Sequence, residues 1–140
     1  SINLEILEQI GAVNVAATMG RGGLTNVSME QILGWDPEVV ITLDEAFYRS
    51  VSGDPNWHGV KAVRDRRVYL APSVPFGWFD SPPGVNRLMG VRWLTSVLYP
   101  QAFPEDLRAT TRDFYARFYH VRLDDDQLDA LLRSATTAAQ

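Results

Sequence analysis

Few residues in this chain of 140 amino acids have the types and spacing that covalent chemistry requires. There are two histidines, His58 and His120, and no cysteines. No Gly-x-Ser-x-Gly pattern places a serine on the sharp turn that a hydrolase nucleophile occupies. The two histidines lie far apart and lack the ligand spacing of a zinc or manganese site. The sequence therefore predicts no catalytic residues, no metal site and no resident cofactor.

The glycine-rich run at residues 19–23 is a weak signal for phosphate binding. It lacks the Gly-x-x-x-x-Gly-Lys-Ser/Thr order of a P-loop, and no Gly-x-Gly-x-x-Gly pattern occurs elsewhere. The net charge of −4 also argues against nucleic acid as a partner, because nucleic-acid-binding domains are usually basic.

The most informative segment is a loop rich in proline and aromatic residues. Phe76, Trp78 and Phe79 lie within four residues, between prolines and a glycine. Two interpretations stay open: the rings cover the domain's own core, or they form an apolar platform for a ligand. Arg87, expected in the second turn of the following helix, is a suitable partner for an anionic ligand.

The elements that position these residues alternate between helix and strand. Strands are predicted at residues 13–16, 39–43 and 67–71, and the second is expected to be buried on both faces because it is uniformly apolar. Helices between and after the strands predict a three-layer α/β/α sandwich with a mostly parallel sheet. Ligands bind beyond the carboxyl ends of such strands, which selects the loops at Asp44 and at residues 72–83.

Helix starts have clear local signals. Ser28 with Gln31, and Asp124 with Gln127, have the spacing of capping boxes. A long helix is predicted from Ser81 and Pro82 to Leu98, another is expected to open at Pro104, and the N-terminal helix is expected to close at Gly11. Hydrophobic residues make up 46% of the chain, and no apolar run approaches the roughly 20 residues of a membrane-spanning helix.

Several segments together resemble the C-terminal lobe of periplasmic substrate-binding proteins that serve ABC importers of iron-siderophores, haem and cobalamin. They are Gly-Ala-Val-Asn-Val-Ala at 11–16, Val-Ser-Met-Glu-Gln-Ile-Leu at 27–33, Asp-Pro-Glu-Val-Val-Ile at 36–41, and Trp-His-Gly-Val-Lys-Ala-Val-Arg at 57–64. Residues 83–100 and the closing segment 118–132 extend the resemblance to nearly the whole chain.

This resemblance implies that residues 1–140 are one lobe of a longer two-lobe chain located in the periplasm or lipid-anchored outside the cytoplasmic membrane. It implies a non-enzymatic module that delivers a small-molecule metal chelate to a membrane permease. The acidic residue of the Val-Ser-x-Glu segment, here Glu30, would contact that permease. The implied ligand loops are residues 20–26, with Arg21 and Leu24, and residues 73–81.

The cargo stays open at this point. A ferric siderophore is the first expectation; haem, a corrinoid and an oxyanion such as molybdate are served by the same fold. Leu24 stands where some cobalamin binders have an aromatic ring, which argues against cobalamin. Two other classes also remain: a chelatase-like or cofactor-assembly α/β enzyme domain, and an interaction domain without cargo.

Overall fold

The computed structural model describes residues 2–19, 25–79 and 84–136. Its helices are α1 (Ile2–Gln9), α2 (Met29–Trp35), α3 (Glu45–Ser50), α4 (Lys61–Arg64), α5 (Arg87–Leu98), α6 (Leu107–Phe118) and α7 (Asp125–Thr136), and its strands are β1 (Val40–Thr42) and β2 (Val68–Leu70). Contacts divide the chain into an N-terminal unit that ends at Leu70 and a C-terminal unit that begins at Ala71.

The sheet lies in the N-terminal unit and is parallel. Val40 of β1 is in register with Val68 of β2, and the Val40 N–H donates to the Arg67 carbonyl at 3.1 Å. The helices that precede and separate the strands make the unit an α/β structure, so the predicted class and the parallel sheet are confirmed. All three residues of β1 are only half-buried, so the expectation of a strand buried on both faces is wrong for this chain.

The strand predicted at residues 13–16 is also wrong. The Asn14 side chain accepts the Ala16 N–H at 3.0 Å, and the Asn14 carbonyl accepts the Ala17 N–H at 3.1 Å. These bonds wind the backbone into a 3-10 helix over Val15–Met19. A short polar side chain that bonds its own backbone competes with strand pairing, and here it outweighs the β-branched valines.

Helix α2 is fixed at both ends by side chains. The Ser28 hydroxyl accepts the Gln31 N–H at 3.2 Å and the Gln31 side chain accepts the Ser28 N–H at 2.8 Å, which confirms the predicted capping box. At the other end Asp36 adopts the left-handed conformation and its carboxylate accepts the Lys61 N–H at 2.7 Å. The helix is therefore tied to the start of α4.

The core of the N-terminal unit is built from small aliphatic side chains. Val51, Val60, Ala62 and Val63 are buried, and partly buried residues from α2, α3 and both strands pack against them. The aromatic residues of this cluster, Phe47 and Trp57, meet edge-to-face at 4.9 Å and stay partly exposed.

The C-terminal unit contains three helices that pack on one another. Its buried core combines large aromatic rings with aliphatic side chains. The rings are Trp78, Phe79, Trp93, Phe114 and Tyr115, and the other hydrophobic residues are Met89, Leu94, Val97, Leu128 and Leu132. The sequence pattern predicts a core face on α5 made of Met89, Gly90, Trp93, Leu94, Val97 and Leu98, and all of these except Leu98 are buried.

Two helix starts in this unit differ from the predictions. Helix α5 begins at Arg87, because residues 84–86 form turns in which Gly84 accepts the Arg87 N–H. The predicted cap at Ser81 and Pro82 lies outside the described residues. Helix α6 begins at Leu107, after Asp106, whose carboxylate accepts the N–H groups of Arg108 and Ala109.

The last two helices show where local patterns succeed and fail. The capping box of α7 is confirmed, since Asp124 and Gln127 exchange hydrogen bonds of 2.8 and 3.1 Å. The helical spacing of Leu107, Thr111, Phe114 and Phe118 predicts an inner stripe on α6; Thr111 and Phe114 are buried, whereas Phe118 is 51% exposed. Tyr115 is buried although the predicted inner stripe did not include it.

Candidate functional site

The three rings of the aromatic loop are divided between the core and the surface. Trp78 has no exposed surface, Phe79 is 8% exposed and Phe76 is 46% exposed. The interpretation of Trp78 and Phe79 as a ligand platform is therefore wrong, because rings within a packed core have no face left for a ligand. Phe76 is the ring that remains available, and its contact with cargo stays a prediction.

The burial of Trp78 and Phe79 has specific partners in the C-terminal unit. The Trp78 indole N–H donates to the Tyr115 hydroxyl at 3.4 Å, which satisfies its polar atom inside the core. Phe79 meets Trp93 edge-to-face with ring centroids 5.8 Å apart. Both partners come from helices far along the chain, so the loop is anchored by tertiary contacts.

The backbone of the loop is held at alternate carbonyl groups. The Pro72 carbonyl accepts the Trp78 N–H at 3.0 Å, and the Phe76 carbonyl accepts the Asn86 amide N–H at 3.2 Å. Between them, the Val74 carbonyl accepts the Tyr115 hydroxyl. The segment from Pro72 to Trp78, called the clamped loop below, is thus fixed by groups from three places in the sequence.

Tyr115 and Asn86 are suited to this task because both are buried and polar. Burial raises the pKa of the Tyr115 phenol, an effect that the hydrogen bond from Trp78 opposes. The hydroxyl therefore stays protonated at physiological pH and remains a donor to Val74. Asn86 is 3% exposed, and its amide oxygen accepts the hydroxyl of Tyr119.

A cavity of about 520 Å³ lies beside the clamped loop. Among the described residues its lining is mostly apolar and carries no charge: Val74, Pro75, Tyr115, Tyr119, Val121, Leu123, Gln127, Ala130 and Leu131. Val74 and Pro75 therefore border open space on this side.

The remaining predicted ligand residues fall in different places. Arg87 is half-buried and is the first residue of α5, rather than a residue of its second turn. Arg21 and Leu24 lie outside the described residues. Ligand contacts of these three residues stay predictions.

Glu30 lies in the first turn of α2 and is exposed, as the sequence predicts. Hydrogen bonds from its own backbone N–H and from the Ser28 hydroxyl lower the pKa of its carboxyl group. Within the part of the chain that the structure describes, Glu30 forms no ion pair. The N-terminal unit thus presents a charged carboxylate to its surroundings.

The described residues contain neither a cluster that could bind a metal ion nor a helix that could cross a membrane. No group of three or more histidine, aspartate or glutamate side chains at residues 2–19, 25–79 and 84–136 is arranged to hold a metal ion. Over the same ranges, the structure contains no helix with the length and apolar character that crossing a bilayer requires.

Sequence reasoning missed the residues that hold the clamped loop. Tyr115 lies in the last turn of α6 and Tyr119 directly follows the helix, four residues later, a spacing visible in the sequence. Asn86 has no such signal, since its partners Phe76 and Tyr119 are distant in sequence.

The chain resembles known proteins over almost its full length. The sequence model of the family described as periplasmic binding protein matches residues 4–75. The molybdate-binding protein MolA of Haemophilus influenzae is 33% identical over 86% of this chain. In its structure with bound molybdate, MolA superposes with a TM-score of 0.74 at 31% identity over 88% of this chain and 38% of that one.

A second solved structure is more similar still. An ABC transporter solute binding protein from Sulfurospirillum deleyianum superposes with a TM-score of 0.87 at 36% identity, over 95% of this chain. The chain spans 42% of that protein and 35% of the curated MolA sequence. The similarity therefore covers well under half of each relative.

Proposed function

The chain belongs to the periplasmic binding protein family, and on that premise we propose that residues 1–140 are the C-terminal lobe of the substrate-binding component of an ABC importer. The main support is the match of 95% of the chain to a solute binding protein at a TM-score of 0.87. A location in the periplasm, free or lipid-anchored, is part of the same proposal. The relatives are named for solute binding, which favours this role over a chelatase-like enzyme.

The cargo we propose is a small metal-containing anion, with molybdate as the first candidate. MolA is named for molybdate and is 33% identical to this chain. The ferric siderophore expected from the sequence remains the second candidate, and haem and corrinoids follow it. The exposed Phe76 favours cargo with an apolar face, which a ferric chelate offers and a bare oxyanion does not.

Titration of the full-length protein tests the cargo. We expect sodium molybdate, added to metal-free protein in an isothermal calorimeter, to bind with one site, and sulfate at the same concentration to compete weakly. A ferric hydroxamate and haemin are titrated in parallel. If only the ferric hydroxamate binds, the cargo is a ferric siderophore and not molybdate. If molybdate, the hydroxamate and haemin all fail to bind, the proposed cargo class is contradicted.

The proposed partner is the permease, and Glu30 is the proposed contact. Its carboxylate is exposed and charged, and forms no ion pair with the described residues. A carboxylate desolvated against an arginine in an interface contributes much more than an exposed pair does. The position of Glu30 at the start of a short capped helix holds the carboxylate at the surface without a role in the core.

Substitution of Glu30 tests this contact. Glu30→Ala should leave folding and cargo affinity unchanged and reduce binding to the permease in detergent micelles, with a smaller difference at high salt. Glu38→Ala, which removes another exposed acid of the same unit, is the matched control and should bind normally. Normal permease binding by Glu30→Arg would exclude this contact.

A further inference from the structure

The clamped loop borders a cavity, so apolar packing does not fix its exposed side. Ser73, Val74, Pro75 and Phe76 are all exposed, and Val74 and Pro75 line the cavity on their other side. The hydrogen bonds to the carbonyl groups of Pro72, Val74 and Phe76 are therefore the contacts that set the position of this edge.

Two short relays of side-chain hydrogen bonds supply two of these three bonds, those to the carbonyl groups of Val74 and Phe76. In the first, the Trp78 indole donates to the Tyr115 hydroxyl, which donates to the Val74 carbonyl. In the second, the Tyr119 hydroxyl donates to the Asn86 side chain, whose amide N–H donates to the Phe76 carbonyl. Phe76 also contacts the Tyr119 ring, with centroids 6.3 Å apart.

The backbone hydrogen bond at Pro72 determines which way the amide group of Ser73 faces. A trans peptide unit points its N–H opposite to its carbonyl. Because the Pro72 carbonyl accepts the Trp78 N–H, the N–H of Ser73 points away from that bond. The exposed edge thus offers the N–H and hydroxyl of Ser73 as donors and the Phe76 ring as an apolar face.

We propose that Tyr115, Tyr119 and Asn86 are positioning residues that hold the Ser73–Phe76 edge in the geometry that meets cargo. Ser73 selects cargo with oxygen acceptors, which molybdate and a ferric hydroxamate both offer, and Phe76 adds a contact to cargo that also has an apolar face, as the hydroxamate does. This inference rests on the proposed function, and it assigns a role in cargo binding to three residues that do not themselves contact cargo. Preorganisation of this kind raises affinity because the loop loses less freedom on binding.

The test removes one hydroxyl at a time from the full-length protein. Tyr115→Phe and Tyr119→Phe keep the rings and delete the donors to Val74 and Asn86. Tyr99→Phe deletes an exposed hydroxyl of the same unit and is the control. Each variant is titrated with sodium molybdate and a ferric hydroxamate, and amide hydrogen exchange is measured across residues 73–78.

We expect Tyr115→Phe to weaken cargo binding about tenfold per folded molecule, mainly through faster dissociation, and Tyr119→Phe to weaken it less. Exchange at the Trp78 amide, which donates to the Pro72 carbonyl across the clamped loop, should quicken in both variants and stay unchanged in Tyr99→Phe. A purely structural role would lower the melting temperature without changing the affinity of the folded fraction.

The outcomes separate this inference from the proposed function. Faster loop exchange with unchanged affinity would overturn the inference while wild-type binding still supported a binding protein. Unchanged exchange at the Trp78 amide would overturn it whether or not the wild type binds either probe. Failure of the wild type to bind both probes would count against the proposed cargo, and the exchange data would then decide the positioning role alone.

Discussion

The described core of the N-terminal unit is mainly aliphatic, with Tyr69 as a buried ring, whereas the core of the C-terminal unit combines aliphatic side chains with several aromatic rings. The first has Val51, Val60 and Ala62 at its centre, with short helices that begin at side-chain caps. The second has Trp78 and Trp93 at its centre and helices of twelve residues. Each unit therefore depends on a different kind of contact for its stability.

This difference explains why one candidate functional residue stayed at the surface and two others did not. In the N-terminal unit Glu30 takes part only in local bonds at a helix start, so its carboxylate remains free for a partner. In the C-terminal unit the core is completed by Trp78 and Phe79 from the loop itself. The core rings anchor the end of this loop, and the hydrogen bonds from Tyr115 and Asn86 position its exposed edge.

The largest expected effect comes from removing a core ring. Trp78→Ala should destabilise the C-terminal unit by about 3–5 kcal/mol, because it opens a cavity and deprives Tyr115 of its indole donor. Phe76→Ala, at the exposed end of the same loop, should cost about 1 kcal/mol or less. Urea unfolding of the full-length protein, followed by fluorescence, measures both. Equal effects of the two substitutions would contradict the division of the loop between core and surface.

An intermediate effect is expected from the helix caps. Ser28→Ala should cost about 1 kcal/mol, because the capping box of α2 is lost. The seven-residue helix has few other bonds, so amide exchange at Ile32 and Leu33 should quicken. Asp124→Ala removes the equivalent box of the twelve-residue α7 and is the matched comparison. A larger change in α7 than in α2 would show that the N-terminal unit does not depend on its caps.

The smallest expected effect is on the stability of the fold at acid pH. Hydrogen bonds and charge attraction from Arg112 and Arg108 lower the pKa of the Asp125 carboxyl. Because the pKa of Asp125 is lower in the folded state, its charged carboxylate stabilises the fold above the pKa of the unfolded state, and this stabilisation is lost as pH falls through the pKa of the folded state. Thermal melts from neutral to acid pH should show a smaller loss for Asp125→Asn than for wild type. Asp126→Asn, which replaces the exposed neighbour, should follow the wild type.

Local signals predicted the parts of the fold that depend on local bonds. The capping boxes at Ser28 and Asp124 were predicted correctly because their partners lie three residues away. The strands β1 and β2 were predicted because their apolar runs are unambiguous. The false strand at residues 13–16 came from valines whose preference was outweighed by the side chain of Asn14.

The candidate site depends on contacts between distant residues, and this limits prediction. Trp78 bonds to Tyr115 and Phe76 to Asn86, and neither pairing has a sequence pattern. The aromatic loop was therefore identified correctly as unusual, but the sequence left open which rings enter the core. The capping box at Ser28 predicted that Glu30 lies in the first turn of a helix, and its exposure was expected from the family resemblance.

The distribution of tryptophans makes each unit optically distinct. Trp78 and Trp93 have no exposed surface, whereas Trp35 and Trp57 are only half-buried. Indoles shielded from water emit at shorter wavelengths than indoles that contact it. The blue side of the emission band therefore originates mainly from the C-terminal unit and the red side from the N-terminal unit. A series of fluorescence spectra, recorded without any attached dye as cargo, heat or denaturant is applied, would report which of the two units responds first.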